Sequence, residues 1–99
     1  MTAARARLQD YLKPGRSAWS DDYHNSPHAN TDEGCVVCGK RTTPEKRIVV
    51  CLTGGGDVLV RPEDEEREER EDADGGFMGR WSVGPECGRA IPQEYRVSA

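Results

Sequence analysis

Apolar positions along this chain gather into three short runs. They are Ile48-Val49-Val50-Cys51-Leu52, Val58-Leu59-Val60, and Phe77 through Val83, with polar chain between them. The first two are β-branched, and Gly54-Gly55-Gly56-Asp57 between them indicates a turn, so residues 46–60 predict a hairpin closed by Arg61-Pro62. Phe77 to Val83 predicts a third strand, with Trp81 available to the core. Gly84-Pro85-Glu86-Cys87-Gly88-Arg89-Ala90-Ile91 predicts a turn opening a short helix, which Pro92 limits to about one turn.

Ahead of these strands the pattern is weaker. Thr2 to Leu12 is rich in helix formers, and Leu8, Tyr11 and Leu12 at i, i+3 and i+4 make one apolar stripe. The expectation is a short helix capped by Thr2 and ended by Pro14-Gly15. Arg16 to Glu33 is polar and loop-like, with Trp19 and Tyr23 as the residues able to pin it to the body. The expected organisation is an N-terminal arm, 1–33, and a body, 34–99.

Charge changes this picture in one place. The 99-residue chain has a net charge of −4, yet residues 63–74 hold nine acids and two arginines. A mildly basic body thus carries an acidic insert, expected as a solvated, mobile loop over 63–76 because it has no apolar face to dock. The i, i+4 pairs Glu63–Arg67 and Glu66–Arg70 favour a transient helix at most.

Composition then points to a staple. Only 34% of residues are apolar, and small domains with so little core usually add a metal, a disulfide or a partner. With no apolar run of membrane-spanning length and no secretory signal, the expected compartment is the cytoplasm, or the host cytoplasm if the chain is phage-encoded. Reduced thiols there favour metal. Gly34-Cys35-Val36-Val37-Cys38-Gly39-Lys40 has the spacing of a zinc knuckle, and Cys87 follows a turn. Structural zinc closes at four ligands, so the expected site is Zn2+ held by Cys35, Cys38, Cys51 and Cys87. His24 and His28 are the alternatives for the fourth place, and Cys51 could instead be a buried core thiol. Iron fits four thiolates as well.

Cys35-x-x-Cys38-Gly39-Lys40, Ile48-Val49-Val50-Cys51, Gly54-Gly55-Gly56 and Met78-Gly79-Arg80-Trp81-Ser82-Val83-Gly84-Pro85-Glu86-Cys87 together resemble small treble-clef-like zinc-binding proteins of actinobacteria and their phages. The resemblance covers residues 34–95. It implies a small metal-stabilised α+β fold of the treble-clef or zinc-ribbon kind, with a zinc knuckle, a short antiparallel sheet and a short C-terminal helix. It also implies a ligand-type residue at Cys51, and no established activity.

Four thiolates would leave no open position for a reactive water, and no catalytic motif or positioned acid–base pair is present. The expected role is therefore non-enzymatic: a protein-interaction module, with Phe77, Met78 and Trp81 beside the acidic loop as contact surface and no membrane role. The N-terminal stripe could serve self-association. The alternative is a nucleic-acid-binding zinc module using Lys40, Arg41, Lys46, Arg47, Arg80 and Arg89, or an acidic-loop mimic of nucleic acid.

Overall fold

A computed structural model describes residues 5–72 and 75–97. It is a small α+β fold around one antiparallel sheet. The strands are β1 (Arg5–Arg7), β2 (Ile48–Thr53), β3 (Val58–Val60) and β4 (Gly79–Val83). Their order across the sheet is β1-β3-β2-β4. The expected hairpin forms as β2 and β3, with Leu52 opposite Leu59 and Cys51 opposite Val60. Gly54, Gly55 and Gly56 all have positive φ in the connecting turn, a conformation that glycine adopts without a Cβ penalty.

Alternation along β2 divides the sheet into two different faces. Val50, Leu52 and Leu59 face the main core with Val83, Ile91 and Tyr95. Covering them is a layer of irregular chain rather than a second sheet or long helix, with Leu8, Tyr23, Val36 and Val37 buried in it. A single-turn helix, α1 (Asp21–His24), lies in this layer, and the Ser20 side chain caps it by accepting from the Tyr23 N–H. Trp19 packs edge-on against both Tyr23 and Trp81, with centroids 5.2 and 4.9 Å away, and its indole N–H donates to the Gly56 carbonyl at 2.8 Å. The two aromatics therefore do pin this segment to the body.

The N-terminal residues differ from the expected helix. Arg5–Arg7 is an edge strand paired antiparallel to β3, and Leu8–Tyr11 is a single 3-10 turn; Thr2 lies outside the described residues. Unpaired main-chain groups on β3 offer ladder hydrogen bonds that outweigh a weak helical propensity. The stripe of Leu8, Tyr11 and Leu12 is nonetheless apolar in use. Leu8 is fully buried, and Tyr11 and Leu12 pack against the chain's own core.

The other sheet face is covered by the acidic segment, which was expected to be a mobile loop. A 3-10 turn at Pro62–Asp64 leads into α2 (Glu65–Arg70). This helix docks by charge. Glu68, 7% exposed, accepts from Arg5 on the β1 edge, and Glu65 binds Arg80 on the β4 edge. Asp72 then accepts the N–H groups of Gly76 and Phe77, each at 3.0 Å, which fixes the chain's return to the sheet. The local pairs are Arg61 and Arg67 with Asp64 in place of the expected i, i+4 ones.

Near the C-terminus, the expected helix at Cys87 is a run of turns over 85–90. One helical hydrogen bond forms, from Gly88 N–H to the Gly84 carbonyl at 2.8 Å. Gly88 then packs so closely on Ile48 and Val83 that a Cβ would lie 2.9–3.0 Å from them, and Pro92 prevents continuation. The chain ends its described course beside β2, where Arg96 bridges Val50. Among the described residues no helix is long and apolar enough to cross a membrane.

Candidate metal centre

Two loops, both anchored to the core layer, bring three sulfurs together. The first is the knuckle. Cys35 N–H donates to the Lys40 carbonyl at 3.0 Å, Gly39 N–H donates to the Cys35 carbonyl at 2.8 Å, and Gly34 bridges Arg41. Gly39 has φ 76°, and a Cβ there would stand 2.5 Å from the Asp22 carbonyl oxygen. Glycine is thus required both by the turn and by the approach of α1. Val36 N–H donates to the Ser82 carbonyl of β4 at 3.1 Å, which ties the knuckle to the strand that leads to Cys87. The second loop is the run of turns after β4.

The Sγ atoms of Cys35, Cys38 and Cys87 lie within 4.8 Å of one another. Cys35 is buried and the other two are half-buried. Burial alone would raise the Cys35 thiol. The main-chain N–H groups of Cys38, Gly84 and Val37, together with the Cys38 thiol, outweigh burial and bring it below its ordinary value. Val37 N–H is 3.4 Å from the sulfur. Cys87 goes the opposite way: burial, and then the negative charge of Cys35 and Cys38, push it up to about 12. The knuckle thus supports one thiolate, and the three sulfurs are close enough to hold one metal ion together. A soft divalent ion suits them, since thiolate is its preferred donor.

Cys51 is not part of this group. It sits on the α2 side of β2, where its thiol is pushed up to about 12 by burial and by the neighbouring Glu65. The expected fourth ligand is therefore a protonated buried thiol under a charged helix. Strand alternation is the reason: Val50 and Leu52 face the core layer that carries the knuckle, so Cys51 must face away. His24 is exposed and His28 half-buried, and neither joins the three sulfurs. The fourth thiolate, on which the expectation of no open position rested, is not supplied by this geometry.

A cavity of about 470 Å³ opens over the sulfurs, lined also by Arg16, Asp22, Lys40, Arg41 and Glu86. Lys40 and Arg41 thus belong to the thiol cavity, whereas Arg47 and Arg80 line a second one. These four of the basic residues that sequence grouped together therefore line two different cavities.

No family model matches this chain, and neither a curated protein nor a solved structure does.

Proposed function

We infer that this is a small zinc-binding module whose metal fastens the knuckle and the post-β4 turns to the sheet, and whose role is to bind another protein. The observation that carries the metal half is the convergence of Cys35, Cys38 and Cys87 within 4.8 Å, with main-chain N–H groups directed at the Cys35 sulfur. Three sulfurs leave one place of a tetrahedral ion to a further donor, and the cavity is where one can enter. A knuckle joined to a hairpin by short loops supports the treble-clef or zinc-ribbon likeness, of the kind carried by small actinobacterial or phage proteins.

The interaction half draws on the surface. Among the described residues Met78 is the large apolar side chain left exposed, at 37%, and it immediately precedes β4, whose Arg80 pairs with Glu65 of α2. An apolar contact on a chain that also carries the acidic α2 suits a basic protein partner.

Metal content by mass spectrometry tests the first half. Close to one zinc per chain is expected, and a metal-free preparation that keeps its fold would refute it. Binding to generic duplex DNA at two salt concentrations tests the second. No binding is expected at low salt, whereas salt-sensitive binding would favour the nucleic-acid alternative.

A further inference from the structure

Separate from the thiol cavity, a second cavity of about 600 Å³ is lined by Arg47, Arg80 and Arg96 together with Ile48, Val49 and Val97. Among the described residues no acid lines it. The three arginines are not equivalent. Arg80 is committed to Glu65, with Nε 3.0–3.1 Å from both carboxylate oxygens, so its charge is balanced. Arg47 and Arg96 form no ion pair among the described residues.

Main-chain carbonyls hold these two instead. Arg47 Nη2 donates to the Thr42 carbonyl at 3.2 Å. Arg96 donates from Nε and Nη2 to the Ile91 carbonyl at 3.0 and 2.9 Å, and from Nη2 to the Arg89 carbonyl at 3.3 Å. Carbonyl anchoring fixes a guanidinium in place without neutralising it, and each retains donors from its five N–H groups. Arg47 Nε is moreover buried with no hydrogen-bond partner. A buried donor in that state is destabilising, so an acceptor that reached it would be favoured.

We propose that this cavity binds a small phosphorylated molecule, with the phosphate between Arg47 and Arg96 and the organic part against Val49 and Val97. The donors left over on two fixed guanidiniums, Nη1 of Arg96 and Nη1 of Arg47 among them, supply fixed positive charge and N–H groups for a tetrahedral oxyanion. The volume falls within the usual range for small-molecule sites, about 300–1,000 Å³. The apolar side chains along one wall distinguish the site from a plain counter-ion patch. Overall charge separates it from nucleic-acid binding: a chain at −4, with an acidic helix beside the cavity, repels a long polyanion while admitting a compact one.

The test uses the full, metal-loaded chain at fixed ionic strength. Phenyl phosphate, inorganic phosphate, chloride and a single-stranded oligonucleotide are titrated to about 10 mM, ten times a Kd of about 1 mM. The readout is the arginine Nε–H and methyl resonances. Phenyl phosphate should shift Arg47, Arg96, Val49 and Val97, binding several-fold tighter than inorganic phosphate. Arg47→Ala should weaken it about tenfold. Arg47→Lys keeps the charge but loses Nε and the fork, and should weaken it comparably while remaining folded. Equal response to chloride, wild-type affinity in both variants, or stronger binding of the oligonucleotide would each overturn the proposal.

Discussion

Nη2 of Arg5 lies 2.6 Å from Oε2 of Glu68, joining the outermost strand to a helix with no apolar residue in it. Glu65, one helical turn earlier, makes the matching contact with Arg80 on the opposite edge of the sheet. A helix of six charged residues is thereby stretched across four strands and held at both sides. Underneath lie Cys51 and Val60, both fully buried. The acid-rich sequence of α2 seals this face by the spacing of two carboxylates, i and i+3, rather than by hydrophobic contact.

Removing Arg5 should therefore cost more than an ordinary surface pair. Exposed pairs contribute about 0–1 kcal/mol, and a fully buried carboxylate left alone costs about 3–5. Glu68 is buried but the Arg5 side chain is 62% exposed, so solvent screening places Arg5→Ala at about 1–2 kcal/mol. Urea denaturation measures it. The double variant with Glu68→Gln should recover part of the loss, because no buried charge is then stranded; a purely additive result would refute the clamp.

Stability should decline at both ends of the pH scale, through different residues. Arg80 holds the Glu65 carboxyl below its ordinary value. A lowered folded pKa contributes stability that is present above about pH 4.5 and lost as pH falls through the folded value. Burial, and then Glu65, raise Cys51 to about 12 from an ordinary 9.0. That contribution is complete below about pH 9 and is lost as pH climbs towards 12. Thermal midpoints across pH should show a flattened acid limb in Glu65→Gln and a flattened alkaline limb in Cys51→Ala.

Metal stoichiometry should separate the four cysteines. Cys35→Ser and Cys87→Ser are expected to lose nearly all bound zinc, since each removes one of three sulfurs. Cys51→Ala should retain the wild-type content. Inductively coupled plasma mass spectrometry decides it, and loss of metal in Cys51→Ala would return that residue to the site.

Leu8→Ala should destabilise the whole fold by about 2–5 kcal/mol, as for other fully buried leucines. Deleting residues 1–8 should prevent cooperative unfolding altogether. A truncated chain with an unchanged denaturation midpoint would show that the N-terminal segment is dispensable.

Gly39→Ala is expected to be at least as damaging as its backbone strain alone, about 1–2 kcal/mol. The new Cβ also meets the Asp22 carbonyl. Its effect should appear both in stability and in zinc affinity, read by chelator competition, because the same turn sets the Cys35–Cys38 spacing.

Much of the architecture follows directly from sequence. The β-branched runs around three consecutive glycines can satisfy their main-chain groups and bury their side chains only as a hairpin. A Cys-x-x-Cys between glycines brings two sulfurs to one side whatever surrounds it. Cys87 is legible with more effort, as a cysteine that follows a Gly-Pro turn rather than lying within an apolar strand. These are local constraints, carried by residues within a few positions of each other.

What sequence could not supply was decided by pairing across distance. Arg5–Arg7 is strand because β3 has a free edge, although its own propensity favours helix. Residues 65–70 are a fixed helix because Arg5 and Arg80, 15 or more positions away in the chain, present charge at the right separation. Cys51 stands apart from the other three cysteines because the register of β2 turns it towards α2. Arg47 and Arg96 share a cavity because the C-terminal segment returns beside β2. Backbone ladders and charge pairs between remote segments have no signature in either segment alone, so only the assembled sheet could assign these residues their neighbours.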